Sequence, residues 1–404
     1  MTAFYLYDDN AARSLEPFAL TRPAGELRAG ALLTRERWER VLGVPCAGSV
    51  SAAHLASFDE AGAAPVVRGE LPAGSWLVNA RALPRADRAP DSGADALAVE
   101  HRLAAVRLRD RLHTEALHEG AASLDGLADG APRSLPGWWV EFVWDYIGTL
   151  EPMLDADIRS LAVELRPVQP AGCTIIGDHP VFAEADAVIE PHVVFDTQGG
   201  PVLVRALAHV QAFTRLVGPL VVGMHSVVTS DRVAVCSIGD TCKVHGEVSN
   251  TIFLGHCNKG HDGFVGHSYL GRWVNLGAQT VTSNLKNTYS QVSLWTPEGE
   301  RDTGLQFLGT LFGDHAKTGI GTPLTTGTVL GAGANVFGSR MPPRAVAPFS
   351  WGEGEPYATY ELRKFLEVAE RMMARRHVPL TDGARAQLTE AHRMRWTLGE
   401  EPGA

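Results

Sequence analysis

Between Asn258 and Asn287 the chain reads N-K-G-H-D-G-F-V-G-H-S-Y-L-G-R-W-V-N-L-G-A-Q-T-V-T-S-N-L-K-N. A purely structural β wall would scatter Ser, Thr, Asp and Lys outward. Here His261, Asn275, Asn284 and Lys286 concentrate imidazole, amide and ammonium groups instead. A histidine, with its ordinary pKa near 6.5, can take a proton from an amine or an alcohol at cellular pH. Asn275 and Asn284 follow His261 by 14 and 23 residues. On a coil of about 18 residues per turn, these positions fall near one another along the axis and converge near one edge. His256, His267 and His315 taken singly are surface or packing residues. His261, flanked by Lys259, Gly260, Asp262 and Gly263, is the candidate base.

The element that must position these groups is written in the apolar spacing. Val204, Val210, Leu216, Val222 and Val228 recur every sixth residue, as do Phe264, Leu270 and Leu276, and then Phe312, Thr318, Leu324, Leu330 and Val336. Six is the period of neither a helix nor a flat strand. Hexapeptide repeats build a parallel β-helix in which three hexads close one triangular turn and the first residue of each points inward. Glycine directly after several of these positions, as in L-G-R-W-V-N, is expected to relieve a corner backbone. The left-handed form is expected, with crossovers that depart from the usual right-handed rule.

The 404 residues suffice for two domains with sizeable cores. A net charge of −10 argues against a nucleic-acid footprint, and no apolar run is long enough to span a membrane. M-T-A-F-Y-L-Y-D-D-N lacks the basic start and apolar run of a signal peptide, so a cytoplasmic location is expected. The five cysteines, Cys46, Cys173, Cys236, Cys242 and Cys257, contain no C-x-x-C pair and are expected as inert thiols.

Residues 1–155 alternate short apolar strands with helical pattern, an α/β layer arrangement. A strand is expected over residues 3–7, a helix from an N-cap at Thr34, a strand over 75–78, helical pattern over 95–118 and a loop over 121–136. W-W-V-E-F-V-W-D-Y-I at 138–147 closes the unit. The β-helix is expected over residues 170–340. It starts loosely, with Ile176, Phe182, Val188 and Val194 inward, and ends where M-P-P-R-A-V-A-P-F breaks regular structure. A helical extension over 355–398 follows, with Asp382 as the N-cap of its second helix.

The segments L-Y-D-D-N, L-T-R-P-A-G-E-L-R-A-G, N-K-G-H-D-G-F-V-G-H-S-Y-L-G-R-W-V-N-L-G-A, S-N-L-K-N-T-Y, T-G-L-Q-F-L-G, G-D-H-A-K-T-G-I and F-S-W-G together resemble the GlmU-type bifunctional family. That family joins a sugar nucleotidyltransferase to a left-handed β-helix glucosamine-1-phosphate N-acetyltransferase, and the resemblance is to an alternative bacterial branch with a shortened N-terminal domain. It implies His261 as the base that deprotonates the sugar amine, Asn275 and Asn284 as contacts to the sugar phosphate, and Ala278 as a backbone contact to acetyl-CoA. Phe264 and Ser290 stand where the family has tyrosine and lysine; Lys286 and Tyr289 are near enough to substitute. Lys259 and Arg215 are further candidate substrate contacts. A homotrimer with acyl-CoA sites between neighbouring subunits is implied as well.

The first domain departs further from the family. No glycine-rich phosphate loop follows the first strand, Ala24 replaces a lysine, and Asn79 and Ala80 stand where an aspartate is expected. Arg22 and Arg28 could still hold a phosphate and Asp8 a Mg²⁺. The combined expectation is an acyltransferase that moves acetyl from acetyl-CoA to the amine of an amino-sugar phosphate or nucleotide sugar. Two alternatives stay open: a uridylyl or thymidylyl sugar-1-phosphate nucleotidyltransferase whose β-helix only oligomerises it, and a non-catalytic scaffold.

Overall fold

A computed structural model describes residues 3–90, 93–128, 130–229 and 231–398, so the first two residues of the M-T-A-F segment lie outside it. The chain forms two compact units, one of Met1–Tyr146 with Val368–Met394, the other of Ile147–Glu367 with Arg395–Ala404.

The first unit is built on a six-stranded mixed sheet in the order Arg133–Leu135, Ala96–Val99, Arg102–Arg107, Trp76–Asn79, Phe4–Tyr7 and Cys46–Val50. Phe4–Tyr7 runs parallel to both neighbours. The helix Thr34–Leu42 begins at the residue expected as its cap, and the cap position falls one residue earlier, on Leu33. Thr34 is its first helical residue, and the Glu36 carboxylate accepts from the Leu33 N–H at 2.9 Å instead. The helical pattern expected over 95–118 is a hairpin followed by a 3-10 segment, Thr114–Gly120. Glu100 and His101 both adopt positive φ (49° and 64°), the two-residue turn that matches the twist of antiparallel strands. The loop expected over 121–136 supplies the edge strand Arg133–Leu135. The helix Asp382–Met394 packs on the 3-10 segment Ala53–Leu55, and its cap is Thr381, whose Oγ1 accepts from the Ala384 N–H and donates to Asp59.

The second unit is the left-handed parallel β-helix, with one face laddered by nine strands as far as Ala345–Val346 and the other two by six and five strands that end before the last coils. Of the thirteen hexad positions, only Phe264 lies outside the core, because the corner at 260–263 shifts the inward position to Val265. Coil length is the reason that other parts of the phase are hidden. Val202 pairs with Leu220, 18 residues on, but Val188 pairs with His209, 21 on, and Ser237 with Ile252, 15 on. In the long first coils the stacked residues are Ala183, Ile189 and Phe195, one off the expected set, while Ile176 and Val188 are exposed. Cys236, Cys242 and Cys257 fill the core of the short coils. The solenoid runs past Ser339, since Val346 stacks on Leu330 and Gly352 on Val336.

One edge of the triangle places a non-glycine residue at positive φ in each successive coil: Leu207, His225, Thr241, His256, Trp273 and His315. Each such residue costs about 1–2 kcal/mol, so glycine is not what makes these corners. Stacking offsets part of that cost. His256 lies on Trp273 with centroids 4.1 Å apart, and His315 continues the column to Phe365. The glycine after an inward residue serves close coil approach: a Cβ on Gly277 would lie 2.5 Å from the main chain of Gly319. Tyr269 pairs with Leu311, 42 residues on, and the excess is an excursion carrying the hairpin Ser293–Thr296/Gly299–Asp302.

Candidate functional site

Two clefts matter, one in each unit. That of the solenoid opens at the corner following the strand Asn258–Lys259, has a volume of about 460 Å³, and is lined by His245, His261, Asp262, Ala278 and Gln279 with Gln211, Ala212, Thr229 and Gly260. Stacked coils lie about 4.8 Å apart, so corner residues 15–17 positions apart in sequence become neighbours in a column. His261 is exposed at this corner. His245 is held on both ring nitrogens, Nδ1 toward the Thr229 carbonyl and Nε2 2.7 Å from Asp262 Oδ1. The N–H groups of Gly277 and Gln279 donate to the carbonyls of Thr318 and Asp262; that of Ala278 has no such partner among the described residues.

Lys259 does not face the cleft. It occupies the inward column of Val228, Val244 and Leu276, is 2 % exposed, and turns its ammonium to the main-chain carbonyls of His245, at 2.7 Å, and His261. Burial lowers its pKa to about 8, against the pull of Asp262 and Asp231. Asn275 lies on the flat face, its Oδ1 accepting from Asn258 Nδ2 at 2.7 Å. Asn284 is at the far end of the adjoining strand, 2.8 Å from His267 Nδ1. Burial lowers the His267 pKa to about 4. Lys286 donates to the Gln291 carbonyl, and Tyr289 is exposed at the start of the excursion. Arg215 pairs with Asp196 at 2.6 Å, three coils from Val265 and so about 14 Å away along the axis. The structure thus gathers His261 and Ala278 and leaves Asn284, Lys286, Tyr289 and Arg215 outside their cleft.

The cleft of the first unit, about 580 Å³, sits beyond the carboxyl ends of strands Phe4–Tyr7 and Trp76–Asn79, where open α/β sheets take ligands. Asp9, Asn79, Arg81, Arg102, Gly120 and Trp139 line it. Arg22 and Arg28 do not; both are buried, Arg22 against Glu60 and Arg28 on the Ala31 carbonyl. In their place Arg81 and Arg102 lie over the Trp139 ring, 5.1 and 5.4 Å from its centroid.

The residues do not fit a resident Mg²⁺. Asp8 is 2 % exposed, accepts from Ser51 and from the Ala24 N–H, and burial raises its pKa to about 6. Asp9 caps the turn Asn10–Arg13 and is gripped by Arg81 at 2.7 and 2.9 Å. Burial would raise the Asp9 pKa, but the Arg81 bonds and charge hold it below the ordinary value. Both Asp9 oxygens and Asp8 Oδ2 therefore have protein partners, while Asp8 Oδ1 is enclosed without a hydrogen bond in a site that favours its protonated form.

Residues 4–164 match the family model described as sugar nucleotidyl transferase. The bifunctional sugar-1-phosphate nucleotidylyltransferase/acetyltransferase of Sulfurisphaera tokodaii is 29% identical over 109 residues, 27% of this chain and 26% of that protein. The bifunctional protein GlmU of Methanococcus vannielii is 30% identical over 86 residues, 21% of this chain and 20% of that one. The chain thus spans about a quarter or less of the length of these relatives. Among solved structures, a variant of AntD, an N-acyltransferase from Bacillus cereus in complex with dTDP-4-amino-4,6-dideoxyglucose and coenzyme A, is 12% identical with a TM-score of 0.24, over 50% of this chain and 92% of that one. The region matching the sugar nucleotidyl transferase model is followed in this chain by a parallel β-helix. Among the described residues, no helix is long and apolar enough to cross a membrane.

Proposed function

We propose that the chain is an acyltransferase, moving acetyl from acetyl-CoA to the amine of an amino sugar carried on a phosphate or a nucleotide. The observation that carries this reading is that His261 and Ala278 line one solenoid cleft. His261 accepts the amine proton as nitrogen attacks the thioester carbon. The carbonyl oxygen gains charge in that step, and the Ala278 N–H is the donor for it. Collapse breaks the C–S bond and releases the coenzyme thiolate, which takes up a proton. The similarity to bifunctional nucleotidylyltransferase/acetyltransferases supports this transferase reading.

The first unit recognises the nucleotide or phosphate end of a sugar and performs no metal-dependent transfer, since Asp8 and Asp9 are held by protein groups. The active assembly is a cytoplasmic homotrimer that completes each acyl-CoA site with a neighbouring solenoid. The test is thiol release from acetyl-CoA with a panel of amino-sugar phosphates and nucleotide-linked amino sugars. Acceptor-dependent release with at least one supports the reading, and release indistinguishable from the no-acceptor control with every one contradicts it.

A further inference from the structure

Three successive coils bring Asp231, His245 and Asp262 together at the corner that also carries His261. We propose that Asp231, His245 and Asp262 form a binding site for a divalent transition metal of the zinc type, at the rim of the solenoid cleft. Their ligand atoms all lie within 4.8 Å of one another. Donors around a tetrahedral zinc stand about 2.0–2.2 Å from the ion and so about 3.3–3.6 Å from each other, a span that rotation of two exposed carboxylates covers.

The histidine is set for a ligand. His245 Nδ1 is directed at the Thr229 carbonyl, which makes that nitrogen the donor and leaves the Nε2 lone pair outward, the tautomer that metal-bound histidines adopt. Nε2 then meets Asp262 Oδ1 at 2.7 Å. Two acceptors at that distance need a proton or a cation between them. Asp231 and Asp262 bring two negative charges to the corner; the buried Lys259 ammonium, which feels both, is bonded to the main-chain carbonyls of His245 and His261 and does not lie between the three side chains. An imidazole in the set favours zinc, cobalt or nickel over magnesium or calcium, which take oxygen ligands. Three protein donors leave the remaining coordination positions open toward the cleft.

The test needs no substrate and stands apart from the acyl-transfer reading. Metal-free full-length protein is titrated with Co²⁺, followed by its visible absorption, and with Zn²⁺ by calorimetry. One equivalent per chain is expected, with Co²⁺ bands of low coordination number and no thiolate charge-transfer band. Asp262→Asn and Asp231→Asn, which keep side-chain shape, are expected to weaken binding at least about tenfold, and His245→Gln to abolish the bands, with thermal melts checking the fold. The proposal is overturned if the wild type binds no more metal than the Asp231→Asn/Asp262→Asn double variant. Binding that survives His245→Gln overturns it too. Either result leaves the two aspartates as counter-charges to Lys259 and His245 alone.

Discussion

The Lys259 ammonium donates to the main-chain carbonyl of His245 at 2.7 Å, and to that of His261, from a position that valine or leucine fills in neighbouring coils. One buried cation thereby ties together the two backbone segments that carry the histidines of the cleft. Lys259→Met keeps the apolar column and removes the tie. Desolvating an ammonium is costly, so the melting temperature of this variant is expected to be equal or higher. Thiol release is expected to fall at least about tenfold, because small displacements of reacting groups are expensive. A thermal melt and a turnover assay on the same sample check both halves; unchanged turnover would show that the tie does not position the site.

His267 and Asp8 give opposite pH signatures. The His267 pKa is lowered by burial to about 4, from about 6.5 in an unfolded chain. The unfolded state then binds more protons between those values, so this residue's contribution is fully present above pH 6.5 and is lost as pH falls toward 4. Between pH 6.5 and 4.5 the loss is up to about 2 kcal/mol. Asp8, raised by burial to about 6, binds its proton more tightly when folded, so its contribution falls as pH rises from about 4 to 6. Urea unfolding at pH 7 and 4.5 is expected to show a smaller acid loss for His267→Gln than for wild type, and a larger one for Asp8→Asn.

Metal-dependent nucleotidyl transfer is expected to be absent. With Asp9 bound by Arg81 and Asp8 enclosed by Ser51 and Ala24, pyrophosphate release from Mg²⁺, a sugar 1-phosphate and each nucleoside triphosphate stays at background. Rapid release with any one triphosphate would show that another acid holds the metal, and would make nucleotidyl transfer the main activity.

The solenoid exposes apolar side chains that a trimer interface would cover, among them Ile320, 80% exposed, which follows Gly319 in the coil stacked on Gly277 and Ala278. Light scattering is expected to give three times 43.4 kDa. Ile320→Glu is expected to lower that mass at micromolar concentration, and a monomeric wild type contradicts the trimer.

Where coils are 18 residues long, as from Val202 to Leu220, the solenoid is legible in the sequence. Where they shorten to 15, the inward positions pass to Cys236, Cys242, Cys257 and Lys259, and the six-residue phase is lost. The same shortening hides the cluster of Asp231, His245 and Asp262, because their neighbourhood exists only once coils of unequal length are stacked. His261 and Ala278 are legible by motif. The hairpin Ala96–Arg107 is not, since its turn uses Glu100 and His101 at positive φ where glycine or asparagine would have announced it. Arg22 and Arg28 look like phosphate ligands by type alone; burial, which type does not reveal, turns them to Glu60 and the Ala31 carbonyl. Arg81 acquires its place on Asp9 only when the strands Phe4–Tyr7 and Trp76–Asn79 pair.

Acyl transfer with His261 as base is tested most directly by thiol release from acetyl-CoA under a saturating amino-sugar acceptor, comparing wild type with His261→Ala. A positioned general base contributes roughly two to four orders of magnitude, and the exposed His261 can be removed without disturbing the core. The expected result is turnover lower by that factor with an unchanged thermal melt; wild-type turnover in His261→Ala would contradict the account.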